Sequence, residues 1–358
     1  MMFLCIAIQQ CREVGDSADR GFYYTEDSIF QLYTKDDIKS VEIAVNKNFV
    51  KKVIKDNKEY LGKRKDYEKK IYGNIYLSND HLLKTIEAVE EWTNSQGSNI
   101  SEYLDAYMIS GRDTQGTVDF SGYFIPVIKV SNFRDSVYKY PIYKQPEVEL
   151  CIDEKAAGQD TSVVTGLQVA WASSLIDIFH MQIEGAGFIE FPDGEKEMLV
   201  YYGDYVYSPE YLSKYLIEKG IFTAEDMSSG KIMKWISENP DSLNKVLAID
   251  PADIFFIRSR NIPVGIGSVI LTEGFSVAVD TSHIPAGSVL LAEIVMTDEQ
   301  GNKKKDLRLL FVQDTGKSVK GPGMADMFFG VGAESGKKAR MFHAEGRLWL
   351  LAAKTDTR

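Results

Sequence analysis

The feature that most limits the fold is the C-terminal third of the chain, which consists almost entirely of strand-like segments. Beyond residue 250, short apolar runs alternate with turn residues: ADIFFIRS, GSVILT, SVAVD, SVLLAEIVM, LRLLFVQD and GRLWLLA. Runs of this length, rich in Val, Ile, Leu and Phe and bounded by Gly, Pro or Asp, are typical of β-strands. This region therefore predicts a domain that is mainly β.

The front of the chain has a different pattern. Charged and apolar residues recur at helical spacing between residues 26 and 98, which predicts helices there. From residue 104 to about 150, apolar residues fall on every second position, which indicates strands. The strand pattern continues over 175–206, with FPDGE (Phe191–Glu195) as a hairpin turn. Helices in front, strands behind and a mixed middle predict two interleaved domains.

Length, charge and cysteines narrow the function classes. The 358 residues are enough for two domains, because single cores stop growing at roughly 250–300 residues. The net charge of −11 argues against nucleic acid as a partner, since phosphate binding needs a basic face. A sugar polymer suits this charge better. Cys5, Cys11 and Cys151 do not have the spacing of a zinc site, and an odd number of cysteines cannot all pair within the chain.

The N-terminal segment MMFLCIAIQQC leaves two interpretations open. It is apolar but lacks the basic residues that begin a secretory signal. Either it is the end of an export or lipoprotein signal that starts upstream, with Cys11 as the lipidated residue, or it is an apolar terminus. Gln9 and Gln10 precede Cys11, whereas lipoprotein signals prefer small side chains there.

Three aspartates near the C-terminus are the best candidates for chemistry. Asp280 ends the apolar run SVAVD, Asp314 ends LRLLFVQD, and Asp326 follows a glycine-rich turn. Carboxyl groups that converge at the ends of buried strands repel one another, and burial adds to this, so one is kept protonated. A protonated carboxyl group near neutral pH can act as general acid on a glycosidic oxygen. The structural alternative is that these aspartates cap turns.

The segment FVQDTGKSVKGPGMADMFFGVGAESGKKARMFHAEGRLWLLA (Phe311–Ala352) resembles the end of the membrane-bound lytic murein transglycosylase A family. Together with SVAVDTSHIPAGSVL (Ser276–Leu290) it resembles that family's three-aspartate (3D) domain. Upstream segments follow in the family's order: DFSGYFIPVI, YPIYKQP, DIFHMQIEGAGFI, YSPEYLSKYLIEKG and DIFFIRS. The resemblance runs from near residue 119 to the end.

This resemblance implies a double-psi β-barrel interrupted by a second β-rich domain, with the substrate groove between the two. The barrel domain, with the N-terminal helices, would comprise residues 1–125 and 264–358. The inserted substrate-binding domain would comprise residues 126–263.

The resemblance also implies a reaction and a set of site residues. The reaction is cleavage of peptidoglycan between N-acetylmuramic acid and N-acetylglucosamine without water, which leaves 1,6-anhydromuramic acid ends. Asp326 corresponds to the aspartate thought to act as acid and then as base, with Asp314 and Asp280 as supporting groups. The resemblance implies no metal or other cofactor. The candidates for substrate binding are Ser121, Gly122, Tyr123, Gln182, Glu184, Gly185 and Lys320.

The expected location is the periplasm or cell envelope, with outer-membrane association and cell-wall synthesis proteins as candidate contacts. The chain departs from the family's pattern at six positions, where changes in the substrate subsites are expected: Ile125, Glu184 (Gln in the family), Ala186, Phe275, Lys317 and Ser318. Two rival functions stay open. One is a non-catalytic peptidoglycan-binding or scaffolding protein. The other is a hydrolytic glycosidase, which in an inverting mechanism needs a second carboxylate roughly 6.5–9.5 Å from Asp326.

Overall fold

The structure is a computed structural model. It describes residues 30–32, 47–64, 68–72, 75–95, 99–113, 115–145, 166–204, 216–223, 235, 238–239, 254–297, 303–316 and 319–354. Cys5, Cys11 and Cys151 lie outside these ranges, so the interpretation of Cys11 stays a prediction. Among the described helices, none combines the length and the apolar character needed to cross a membrane.

The helices with described bounds are α1 (Lys47–Lys63), α2 (Asn79–Asn94), α3 (Leu175–Ile183) and α4 (Ala333–Met341). The strands are β1 (Phe30–Leu32), β2 (Glu68–Tyr72), β3 (Ile75–Ser78), β4 (Leu104–Ile109), β5 (Val118–Ile125), β6 (Val127–Ser131), β7 (Tyr140–Lys144), β8 (Gln168–Ala172), β9 (Ala186–Glu190), β10 (Lys196–Asp204), β11 (Ile254–Arg258), β12 (Ser276–Ala278), β13 (Val289–Thr297), β14 (Lys303–Asp314), β15 (Met324–Val331) and β16 (His343–Ala353). Short 3₁₀ turns lie at Ile100–Glu102 and Ile266–Ser268.

The first barrel is formed by strands from both ends of the described chain. Its strands pair in the order β16-β13-β14-β12-β15-β5, and a further pairing of β5 with β16 closes the ring. The pairs β12–β14 and β15–β5 are parallel, whereas the other pairs in the ring are antiparallel. β4 and β1 extend the sheet beyond β16.

The second barrel is formed by strands that lie between β5 and β12 in the sequence. It is closed in the order β10-β11-β7-β8-β6-β9. β9 and β10 form a hairpin in which the Phe191 N–H donates to the Glu195 carbonyl oxygen at 2.9 Å, as the FPDGE motif predicts. The prediction of a mainly β fold, in which one barrel is interrupted by a second β-rich domain, is confirmed.

Hydrophobic cores formed by the described residues hold this arrangement together. The largest fills the first barrel and includes Val53 of α1 and Ile86 of α2, so the N-terminal helices share the barrel's core. A second core, around Ile142 and Phe256, fills the second barrel. The third lies at the junction of the barrels, where Ile125 and Leu271 from the first barrel side pack with residues of β9 and β10. Burial of apolar surface at this junction fixes the second barrel beside β5.

Several local predictions were wrong. Between α1 and α2, the hairpin of β2 and β3 interrupts the region predicted as helical. Residues 175–183, predicted as strand, form α3 because a short apolar run does not distinguish a buried helix from a strand. The GSVILT segment, predicted as a strand, begins within the 3₁₀ turn Ile266–Ser268. Its Ile270 forms an isolated β-bridge with Val264 instead of part of a strand. Finally, α4 was not predicted in the C-terminal third.

Candidate active site

Strand pairing in the first barrel brings two of the three candidate aspartates into one row with Ser121. Asp314 on β14 is registered with Ala278 on β12, and Ala278 with Asp326 on β15. Asp326 is in turn registered with Ser121 on β5. Because neighbouring strands lie about 4.8 Å apart, side chains on the same face of this row can interact.

Asp326 is a partly buried carboxyl group at the centre of the site. The Ser121 hydroxyl donates a hydrogen bond to Asp326 Oδ1 at 3.0 Å. The pKa of Asp326 is raised to about 7, mainly by burial; the hydrogen bond from Ser121 opposes this shift, and the negative charges of Glu184 and Asp314 contribute to it. A group with a pKa near 7 can both donate and accept a proton at neutral pH, which suits a general acid and base.

Asp314 is held by two donors. The Tyr123 hydroxyl donates to Asp314 Oδ2 at 2.8 Å, and the Thr315 N–H donates to Oδ1 at 2.9 Å. Burial raises the pKa of Asp314 to about 6, although both hydrogen bonds oppose this shift. Burial and the charge of Asp314 raise the pKa of Tyr123 well above its usual range, so the phenol stays a neutral donor.

Gly122 lies between Ser121 and Tyr123 on β5 but faces the opposite side of the strand. A Cβ at this position would lie 2.7 Å from the ring of Phe329 and 3.0 Å from the Cα of Ala339 in α4. The lack of a side chain therefore allows α4 to pack closely against β5. The structure places Gly122 in this packing contact, away from the two carboxyl groups.

Glu184 reaches the site from the second barrel. It is the C-cap residue of α3, and its Oε2 accepts a hydrogen bond from the Phe124 N–H at 3.4 Å. His180, one turn earlier on α3, lies with Nε2 3.4 Å from Glu184 Oε1. The sequence pattern had favoured an apolar strand around His180, so this contact between two side chains of one helix was not predicted.

Gln182 and Gly185 shape the end of α3. Gln182 is buried, with 7% of its surface exposed. Gly185 has φ +79°, a left-handed conformation that commonly ends helices and that favours glycine. Its N–H donates to the Gln182 carbonyl oxygen at 3.1 Å, and a Cβ here would meet no atom within 4 Å. The backbone conformation, and not lack of space, accounts for glycine at this position.

Asp280 takes part in a turn and not in the row of carboxyl groups. Its Oδ1 accepts hydrogen bonds from Ser282, and its Oδ2 accepts the Gly321 N–H at 2.8 Å. Burial pushes the pKa of Asp280 upward, but these hydrogen bonds outweigh it and the pKa is lowered. Lys320, beside this turn, is exposed. The described residues contain no group of three or more His, Cys, Asp or Glu that could hold a metal ion.

A buried polar chain behind the site was missed by the sequence analysis. Asn57 of α1 is fully buried and donates to the Gly287 carbonyl oxygen at 3.0 Å. Its Oδ1 accepts from Gln313 Nε2 at 3.3 Å, and Gln313 Oε1 accepts from the Ser276 hydroxyl at 2.5 Å. Because Gln313 directly precedes Asp314, this chain fixes β14 at the point where it enters the site. No sequence signal marks Asn57, since its partners are more than 200 residues away.

The other departures from the family's pattern lie mainly in packing positions. Ile125 is 3% exposed and Ala186 is 9% exposed, and both belong to the apolar junction of the two barrels. Phe275 is partly buried and packs against the core of the first barrel. Lys317 and Ser318 lie outside the described residues; of the departures within them, Glu184 is the one whose charge acts on Asp326.

The raised pKa of Asp326 gives an expected pH dependence of stability. Its ordinary value is 3.8 and its folded value about 7, so between these pH values the folded state binds more protons than the unfolded state. The free energy of unfolding therefore falls as the pH rises through this window. Asp326→Asn has no carboxyl group to titrate and therefore does not lose this stability. We expect the difference between its melting temperature and that of wild type to grow from pH 4 to pH 8, with the variant the more stable protein.

The full shift corresponds to about 4 kcal/mol, which partial solvent exposure reduces to roughly 2 kcal/mol, or about 4 °C at pH 8. Differential scanning calorimetry across the pH series measures this gain. Asp306→Asn, on the surface of β14, is the matched control. Its difference in melting temperature from wild type should not increase from pH 4 to pH 8. A constant difference for Asp326→Asn between pH 4 and pH 8 would contradict the raised pKa.

Family comparisons agree with this geometry. The family model described as "MltA specific insert domain" matches residues 152–257, and the one described as "3D domain" matches residues 275–352. The first match overlaps the strands of the second barrel from β8 to β11. The second match covers β12 to β16, the strands that carry Asp314 and Asp326.

Curated relatives match over most of the chain. Membrane-bound lytic murein transglycosylase A of Escherichia coli K12 is 32% identical over 290 residues, which cover 79% of this chain and 77% of the relative. The protein of the same name from Vibrio cholerae is 34% identical over 274 residues, which cover 74% of each chain.

Solved structures agree as well. The crystal structure of Escherichia coli MltA, described as a unique lytic transglycosylase fold, matches with a TM-score of 0.70 and 28% identity, covering 95% of this chain and 98% of that one. The structure of Escherichia coli MltA with bound chitohexaose matches with a TM-score of 0.71 and 26% identity, covering 95% of this chain and 100% of that one. The chain belongs to the membrane-bound lytic murein transglycosylase A family.

Proposed function

We propose that this protein is a lytic transglycosylase that cleaves the bond between N-acetylmuramic acid and N-acetylglucosamine in peptidoglycan. The observation that carries the proposal is the position of Asp326, which lies in one row with Asp314 and Ser121, accepts a hydrogen bond from Ser121, and has its pKa raised to about 7 mainly by burial. The names of the relatives and the chitohexaose complex of the Escherichia coli protein support a glycan as the substrate.

In the first step, Asp326 acts as a general acid. The Ser121 hydroxyl donates to Oδ1, which leaves Oδ2 to carry the proton towards the substrate. Transfer of this proton to the glycosidic oxygen allows the bond between that oxygen and the anomeric carbon of N-acetylmuramic acid to break. The second sugar leaves with a new hydroxyl group, and Asp326 becomes a carboxylate.

In the second step, the same carboxylate acts as a base. It accepts the proton of the C6 hydroxyl of N-acetylmuramic acid, whose oxygen forms a bond to the anomeric carbon. The product is a 1,6-anhydro sugar, and Asp326 is protonated again. Because the attacking hydroxyl belongs to the substrate, its effective concentration is high and no water is consumed.

The remaining candidate residues support this reaction in different ways. We propose that Asp314, held by Tyr123, adds negative charge that keeps Asp326 protonated and stabilises the positive charge that develops on the sugar ring. Asp280 would order the turn before β15 through the Gly321 N–H. Gln182, Gly185 and Lys320 remain candidates for contacts with the glycan.

We also propose the domain division 1–125 with 264–358 and 126–263, in which Pro126 separates β5 of the first barrel from β6 of the second. The protein is associated with the cell envelope, as its membrane-bound relatives are. Action in the periplasm at the outer membrane is our proposal. Anchoring through Cys11 and contacts with cell-wall synthesis proteins stay predictions.

The test is digestion of purified peptidoglycan in water enriched in ¹⁸O, followed by mass spectrometry of the fragments. A lytic transglycosylase releases anhydro fragments that are lighter than hydrolysis products by one water and carry no ¹⁸O at the cleaved end. Reducing ends labelled with ¹⁸O would identify a hydrolase instead. Binding of the glycan without any released fragment would indicate a scaffolding protein.

A further inference from the structure

Glu184 connects the two barrels beside the candidate acid. It belongs to the second barrel, yet its Oε2 accepts a hydrogen bond from Phe124 on β5, the strand that also carries Ser121 and Tyr123. Its side chain is 12% exposed. A carboxylate of the second barrel is therefore fixed next to the acidic site of the first.

The location of Glu184 opposes ordinary helix electrostatics. The C-terminal end of a helix carries partial negative charge, so a carboxylate at the C-cap of α3 is unfavourable there. Two further carboxyl groups lie at this site, because the charges of both Glu184 and Asp314 act on Asp326. Residues that oppose a local physical rule at a buried position are expected at functional sites.

The groups that face this site come from both barrels. Around Asp326 lie Asp314 of β14, Tyr123 of β5 and Glu184 of α3. His180 lies 3.4 Å from Glu184. The guanidinium group of Arg340 on α4 lies over the ring of Phe124, 5.5 Å from its centroid.

Strand β5 links the two carboxyl groups, because Ser121 donates to Asp326 and Phe124, three residues further along the same strand, donates to Glu184. Burial is the main cause of the raised pKa of Asp326, and the negative charges of Glu184 and Asp314 act in the same direction. The hydrogen bond from Phe124 holds the charge of Glu184 in place across the junction.

We infer that Glu184 is a positioning residue that acts through Asp326 and keeps the acid protonated at neutral pH through a charge supplied by the second barrel. The inference rests on the proposed function, since it assigns Asp326 the role of acid. It makes the second barrel part of the acid chemistry, in addition to any contact that this barrel makes with the glycan.

Glu184→Gln tests the inference because the amide keeps the size of the side chain and an oxygen that can accept the Phe124 N–H, but removes the charge. We expect the midpoint of the alkaline limb of kcat/KM to fall by about 0.5–1 pH unit. Activity at pH 8 should then be about 3–10-fold below wild type, whereas activity below pH 6 should stay within about 2-fold. Glu197→Gln, which removes a surface charge paired with Arg258 in the same barrel, should leave the profile unchanged.

A second readout does not depend on activity. The gain in melting temperature caused by Asp326→Asn grows with pH, and the midpoint of this growth reports the folded-state protonation of Asp326. In the Glu184→Gln background this midpoint should fall by the same 0.5–1 pH unit, about the effect of one nearby charge.

The two readouts separate the possible failures. Wild type that releases no anhydro fragments would contradict the proposed function, while a shifted stability midpoint would still support the charge coupling. An active wild type whose alkaline limb and stability midpoint are both unchanged by Glu184→Gln would overturn the inference. A loss of activity that is equal at every pH would overturn it too, because it would assign Glu184 a purely structural role.

Discussion

Asp326→Asn is expected to reduce the release of anhydro fragments from peptidoglycan by at least about 10³-fold, because the amide can neither donate nor accept the transferred proton. The fold should be retained. The amide has the same size as the carboxyl group, and its oxygen can accept the hydrogen bond that Ser121 donates to Oδ1. Initial rates of fragment release, quantified by liquid chromatography and mass spectrometry, measure the effect.

Asp306→Asn is the matched control for this loss. It makes the same chemical change on β14 of the same barrel, where Asp306 forms an ion pair with Arg308 at 2.7 Å near the surface. Its rate should stay within about 2-fold of wild type, because surface ion pairs contribute little. Sedimentation with insoluble peptidoglycan should show that Asp326→Asn still binds the glycan. An Asp326→Asn variant with more than a tenth of the wild-type rate would mean that another group, first of all Asp314, is the acid.

Cleavage by the wild type is expected to fall as the pH rises above about 7 and to approach a tenfold loss per pH unit, so that kcat/KM at pH 9 is about 50-fold below its value at pH 7. The sign follows from the first step, which needs the protonated form of Asp326. Burial raises the pKa of this group to about 7, so the acid is protonated below this pH and ionised above it. The profile is measured with soluble glycan fragments at concentrations well below KM.

A loss of structure must be separated from this titration. Circular dichroism at each pH should show the same β-rich spectrum from pH 6 to pH 9. On the acidic side, protonation of Asp314, whose pKa burial raises to about 6, would remove the negative charge that supports the reaction, so activity should also decline below about pH 6. A rate that stays constant from pH 7 to pH 9 would exclude a carboxyl group with the pKa of Asp326 as the essential acid.

The strand-rich part of the fold could be predicted because its signals are local. The runs that became β13, β14 and β16 are long and apolar, and the FPDGE turn between β9 and β10 has the residues that such a turn needs. The secondary structure of the short apolar segments was harder to predict. α3 contains buried residues such as Ile178 and Met181, and over only nine residues helical and strand spacing are hard to separate.

The candidate site was predicted only in part. The motif order along the chain was enough to select Asp314 and Asp326, which the structure brings together in one row. The same motifs also selected Asp280 and Gly122, which the structure places in a turn and in a packing contact with α4. A motif records which residues are present, but it does not record which face of a strand each one occupies.

The sequence by itself therefore determined the class of fold, the family and the choice of candidate acidic residues, because these depend on local patterns and on the order of motifs. Only the tertiary structure decided that Ser121 bonds to Asp326 across 205 residues, and that Glu184 of the second barrel adds its charge to the same site. The pKa of Asp326 depends on burial and on charges brought close by strand pairing and barrel packing. Those are properties of distances in space, which the linear order of residues does not contain.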